Sequence, residues 1–135
     1  MATRSAIGIL HSDETVIGIY CHYDGYPSHV GKVLFEHYGE DKLKELLSLG
    51  NLSSIGPEIG VSNDFEFRDQ NFCTFYGRDR QDQNAQAKVF SSIREFMSHY
   101  NWSDYYYLYD MRLGTWLYAP SGRPFRELGP DLDQS

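Results

Sequence analysis

Basic residues are scarce in this chain. Lys and Arg number 12 against 19 Asp and Glu, a formal net charge of −7 over 135 residues. Binding to DNA, RNA or an anionic membrane draws on Lys and Arg to neutralise phosphates, so this balance argues against a broad nucleic-acid groove or a membrane-surface role. Cysteine is scarce as well: Cys21 and Cys73 both sit in apolar, strand-like contexts. With no hydrophobic segment following Met1-Ala2-Thr3-Arg4, that usage fits a reducing cytoplasm. No apolar run approaches the roughly 20 residues of a membrane span, so a soluble protein is expected. No Pro/Gly/Ser-rich linker divides the chain, which reads as one domain over 1–135. Walker and Rossmann glycine loops, a Gly-x-Ser-x-Gly elbow, a Cys-x-x-Cys pair and a His-x-x-x-His helix pair are all missing.

Aromatic residues are plentiful instead, with 11 Tyr and 8 Phe. Tyr joins a large apolar body to a polar tip and suits half-buried sheet faces, interfaces and ligand walls. The apolar, β-branched runs 6–11 and 16–22 flank Ser12-Asp13-Glu14-Thr15 and predict an opening antiparallel hairpin. In its second strand a period of two puts Ile17, Ile19 and Cys21 on one face, and Val16, Gly18, Tyr20 and His22 on the other. After the turn Asp24-Gly25-Tyr26-Pro27, Ser28 is placed to cap a helix whose stripe is Val30, Val33, Leu34, His37 and Tyr38, with Gly39 at its end. Leu43, Leu46 and Leu47 mark a second helix over about 40–49, stopped by Gly50. Residues 51–71 read as a long loop with at most one short extended piece, a length that suggests binding or assembly.

The segment 72–76 reads as a strand, 77–86 as a polar turn and 87–90 as the returning strand. Ser92 and Glu95 have capping-box spacing and open a third helix with the stripe Ile93, Phe96, Met97 and Tyr100. Tyr105 to Tyr109, a turn through Gly114, and Trp116 to Tyr118 form a second hairpin rich in rings, one face of which is expected to be core and the other open to a partner. The tail 129–135 is expected to fray. Hairpins and a strand pair interspersed with about three helices, without regular βαβ alternation, give the α+β class with a mainly antiparallel sheet.

The densest chemistry lies in Ile19-Tyr20-Cys21-His22-Tyr23-Asp24-Gly25-Tyr26-Pro27-Ser28-His29, a strand running through a turn into a helix start. Cys21, His22, Asp24 and His29 carry the atoms of a metal site, but Cys21 and His22 are neighbours on a strand and point to opposite faces, so no metal and no cofactor is expected. Cys21 has no identifiable oxyanion hole, and the carboxylates Asp24, Asp79 and Asp110 read first as turn formers. A small phosphate-bearing ligand needs only a few local cations, and Arg78 and Arg80 flank Asp79 in one turn-like segment, with Arg4 near the start of the first strand. Arg forks hold phosphate and stack on rings, so Arg together with Tyr and Trp is a nucleotide-binding palette. Tyr109 and Trp116 offer further flat walls.

The pattern Arg4-Ser5-Ala6-Ile7-Gly8, the element Tyr20-Cys21-His22-Tyr23-Asp24-Gly25-Tyr26-Pro27 and the later Tyr76-Gly77-Arg78-Asp79 resemble those of a widespread group of small phage and prophage proteins without an assigned activity. This resemblance implies an accessory protein working in the bacterial cytoplasm during infection. Analogy with small acidic phage proteins of this size extends it to antagonism of host defence. The leading expectation is a non-enzymatic, homo-oligomeric binder that sequesters a nucleotide-type immune signal. In it Arg78 and Arg80 hold phosphate, Tyr20, His22 and Tyr26 line the pocket, Asp24 fixes the turn or meets a ribose, and Arg4, Tyr109 and Trp116 complete the site. One rival is an acidic inhibitor that binds a host defence protein by imitating nucleic acid; another is a small hydrolase or lyase using His22 and Asp24 as acid and base.

Overall fold

The structure, a computed structural model, describes residues 2–129. Strands β1 (Ser5–Leu10) and β2 (Val16–Cys21) form the expected hairpin, in register from Ser5 opposite Cys21 to Leu10 opposite Val16. A wide π-helical turn, Pro27–Gly31, leads into α1 (Lys32–His37) and then α2 (Glu40–Leu49). Ser28 does not cap this helix: Tyr26 is the capping residue, and Pro27 opens the turn because its missing N–H leaves no donor unsatisfied there. Next come β3 (Leu52–Ser54), β4 (Thr74–Phe75), α3 (Tyr76–Arg80), β5 (Lys88–Phe90), α4 (Ile93–His99), β6 (Tyr105–Asp110), β7 (Thr115–Pro120) and β8 (Arg126–Glu127). The tail expected to fray lies outside the described residues except for Gly129.

The fold is α+β, with a mixed, mostly antiparallel sheet ordered β4-β3-β2-β1-β6-β7-β8. Two pairings are parallel, β1 with β6 and β2 with β3. The described residues hold four helices where about three were expected, the additional one being α3, which winds at 76–80 where the end of a strand and the start of a polar turn were expected. The segment read as the returning strand does not pair with β4; β5 lies against the opening half of β2, Val16 opposite Phe90, while β4 pairs with β3.

Helices cover both faces of β1, so all of its residues are buried and it lacks the alternation of a one-sided strand. On one face Ile7, Ile9, Ile19 and Cys21 meet Leu34, Leu43, Leu46, Tyr107 and Trp116. On the other Ala6, Leu10 and Val16 pack with Phe96, Tyr100, Tyr106 and Leu108. The face assignment read from β2 therefore holds. In α4, Ser92 caps Glu95 N–H, and the Glu95 carboxylate reaches the Ser91 N–H and hydroxyl rather than completing the box on Ser92.

Between its pairings with β5 and β3, strand β2 has a gap, which Asn51 fills. Its side-chain oxygen accepts from Tyr20 N–H at 3.0 Å, its N–H donates to Ala85 O at 2.7 Å, and its carbonyl accepts from Tyr76 N–H at 3.2 Å. Gly50 makes that approach feasible: it holds φ of +89°, and a Cβ there would sit 2.2 Å from Ala85 O. Gly50→Ala is expected to cost at least about 2 kcal/mol in urea unfolding, since both the dihedral and the contact must relax.

Candidate functional site

Beyond Gly18, the α4-side face of β2 carries Tyr20 and, just past the strand end, His22. Four other segments of the chain bring rings and cations to them. Trp102, from the loop after α4, sets its ring edge-on to Tyr20 at 4.7 Å between centroids, and the Arg4 guanidinium lies 5.8 Å from the Trp102 ring centre. Tyr76, at the start of α3, lies parallel to Tyr20 at 6.2 Å and 6°. Phe65, from the long loop, stands 5.4 Å from Tyr76, and Arg80 covers both rings at 4.6 and 4.9 Å. The result is a surface row Arg4, Trp102, Tyr20, Tyr76, Arg80, with His22 and Tyr23 beside it and Arg68 over Tyr23 at 4.7 Å.

The long loop reaches this row because it is built by side-chain bonds to backbone. Asn63 donates to Asp69 O, Phe72 O, Cys73 O and Thr74 Oγ1 and accepts from Asp69 N–H. Arg78 donates to the carbonyls of Ile59, Gly60 and Cys73 and to both oxygens of Asp79, which in turn accept from Asn63 and Phe75 N–H.

Burial, with the Tyr76 phenol as the next cause, pushes the Tyr20 hydroxyl well above its ordinary range, and this hydroxyl shares a hydrogen bond with His22 Nδ1. Burial and then the Arg4 charge lower the His22 value, which holds the ring neutral. A histidine whose folded value is depressed destabilises the fold as pH falls below the ordinary value of about 6.5, and that loss levels off once pH is below the folded value. NMR titration is expected to place His22 below that reference and to find it raised in Arg4→Ala. Burial, then the neighbouring Cys73, drives the Cys21 thiol up to about 12, and burial also raises Cys73. Neither is a poised nucleophile. Among the described residues no group of three or more His, Cys, Asp or Glu side chains is arranged to hold a metal ion.

Of the residues expected from sequence, Arg4, Tyr20, His22 and Arg80 converge. Arg80 also grips Asp82 through two bonds of 2.9 and 2.6 Å. Arg78 does not join them, a correction to its expected phosphate role: its side chain is 15% exposed, and each of its nitrogens already donates inside the loop. Asp24, at φ of +58°, serves the turn, its carbonyl accepting from Val30 N–H and its carboxylate from Tyr26 hydroxyl. The Tyr26 ring lies near His29 at 6.3 Å rather than in the row. Tyr109 and Trp116 lie on the opposite face of the sheet; Trp116 is 3% exposed and donates to Tyr38 O, so it is core. With Phe35 and His37 they edge a separate hollow of about 330 Å³. Sequence reasoning missed Tyr76, Trp102, Phe65, Tyr23 and Arg68 as site residues. The Tyr-Gly-Arg-Asp-Arg run was the one signal for Tyr76, and nothing local marks Trp102.

The arrangement offers faces and forks. His22 Nδ1 is hydrogen-bonded to the Tyr20 phenol, and the Asp24 carboxylate accepts from the Tyr26 hydroxyl. In comparisons with known proteins, no family model, no curated protein and no solved structure matches the chain.

Proposed function

We propose that this protein binds a nucleotide-type ligand without turnover, seating it on the row from Arg4 through Trp102, Tyr20 and Tyr76 to Arg80. The observation that carries this reading is the row itself: a guanidinium at each end of contiguous rings, on a chain whose overall charge is −7. Each base stacked on an aromatic side chain contributes about 1–3 kcal/mol, and an arginine fork adds a directed hold on phosphate. A binder that depletes a signal needs affinity and abundance rather than turnover. The proposal includes a setting, for which the phage resemblance is the support: the infected bacterial cytoplasm, with the binder acting as a homo-oligomeric antagonist of host defence.

Trp102 is 43% exposed and Trp116 is buried, so tryptophan fluorescence reports on the row. Adding nucleoside monophosphates or short oligonucleotides is expected to quench the wild type and to leave Trp102→Phe unchanged. Unaltered fluorescence together with no heat of binding for any of these probes up to millimolar concentration would sink the reading.

One observation favours a second reading, the acidic inhibitor of a host protein. Val61 and Phe67 are 92% and 83% exposed on the loop that Arg78 and Asn63 tie down by hydrogen bonds, and Phe67 lies in a stretch with Asp64, Glu66 and Asp69 against one Arg68. An exposed aromatic side chain in a stretch of net negative charge suits an apolar pocket with a basic rim. Phe67→Ser is expected to change stability by less than about 0.5 kcal/mol, while abolishing capture of a protein partner if that reading holds.

A further inference from the structure

Resting on the nucleotide reading above, we infer that the ligand carries two bases joined by phosphodiester linkage, a dinucleotide or short oligonucleotide rather than a mononucleotide. The row is built as two half-sites of the same kind. At one end the exposed Trp102 ring is paired with Arg4; at the other, Tyr76 and Phe65 are paired with Arg80. Tyr20 lies between them, 4.7 Å from Trp102 and 6.2 Å from Tyr76, and shares its hydroxyl with His22. A single base can occupy one ring-and-arginine pair and leaves the other idle. Two bases, each on its own ring, use both, with Arg4 beside one phosphate and Arg80 exchanging its pair with the Asp82 carboxylate for the other, and Tyr20 with neutral His22 faces the linkage as an uncharged spacer.

The two arginines at the ends lie on different elements, Arg4 ahead of β1 and Arg80 at the end of α3, so no fold requirement common to both explains why each ends on an aromatic ring. Charge sets the upper length. Asp104 accepts from Arg4 N–H at one end and Asp82 pairs with Arg80 at the other, so a strand that overruns both arginines meets carboxylates rather than further phosphate contacts.

The test is calorimetry, with Trp102 fluorescence in parallel, on the full chain. The probes are the four nucleoside monophosphates, 5′-phosphorylated RNA dinucleotides in all base combinations, and a long mixed-sequence single strand. The best dinucleotide is expected to bind at least about tenfold more tightly than the best monophosphate, the range a second stacked base supplies. Arg4→Ala and Arg80→Ala are each expected to weaken the dinucleotide about tenfold, whereas a monophosphate responds to one of them only. Both positions are on the surface, and unchanged thermal melting of the two variants keeps the comparison clean. Equal affinity for mono- and dinucleotides, with a single arginine mattering for both, overturns the two-base inference and leaves the binding reading standing. Affinity for the long strand rising with its length overturns the upper limit. Binding of no probe at all removes both readings together.

Discussion

Asp79→Ala is expected to destabilise the protein by about 3 kcal/mol or more, a drop in Tm of about 10 °C at this chain length. The Asp79 side chain is 1% exposed and accepts from Arg78 and from the N–H groups of Asn63 and Phe75. Removing it leaves a guanidinium in a largely buried position without its counter-charge and strands backbone donors, and both losses are among the costliest a single substitution can cause. Arg78→Lys should lose most of the same stability, because one ammonium cannot reach the carbonyls of Ile59, Gly60 and Cys73 together with both oxygens of Asp79. Differential scanning calorimetry separates this structural role from the phosphate role expected from the sequence. A ligand arginine would melt like the wild type and lose only binding, whereas the loop clamp is expected to lose stability first, and with it the placement of Phe65 and Tyr76. A wild-type melting curve for Asp79→Ala would show that the clamp does not hold the loop.

That reversal shows how far local sequence reaches. The β1–β2 and β6–β7 hairpins were legible because a period of two and the turn residues act between neighbours, and Tyr20 and His22 were placed on one face by the same period. The partner of β5 was not legible. Strand β2 divides its edge between β5 and β3, and that division depends on Gly50 and Asn51 reaching Ala85, contacts between residues far apart in the chain. Helix α3 was missed for a related reason: Tyr-Gly-Arg-Asp-Arg carries turn residues, and its conformation is held by the Asp79 carboxylate, which accepts from Phe75 N–H and from the side chain of the preceding Arg78. For the site, arginine and aromatic content announced a palette but not which members meet. Trp102 reaches Tyr20 only because α4 packs across β2, and Trp116, alike in composition, was drawn into the opposite core.

The packing of α4 on β2 therefore underlies the row, and it turns on one contact. Phe96 is fully buried, and a Cβ on Gly18 would lie 2.6 Å from its ring. Phe96→Ala is expected to cost about 3–5 kcal/mol in urea unfolding, the range for a core aromatic removed without collapse of its cavity. Gly18→Ala alone should cost about 1–3 kcal/mol by overpacking against the same ring. In the double variant the new methyl enters the space the ring has left, so the two costs should fall short of their sum, with a coupling of about 0.5–3 kcal/mol. Additivity within about 0.5 kcal/mol would mean that the helix shifts freely on the sheet and that this contact does not set its position. The consequence for binding is direct. Tyr100 hydroxyl donates to Gly18 O at 3.2 Å, and its ring meets Trp102 at 5.9 Å, so a helix that loses Phe96 loses the registration of the loop carrying Trp102. Trp102 emission is expected to shift to longer wavelength in Phe96→Ala at temperatures where the protein remains folded, and to return part of the way in the double variant as the helix is again seated on β2.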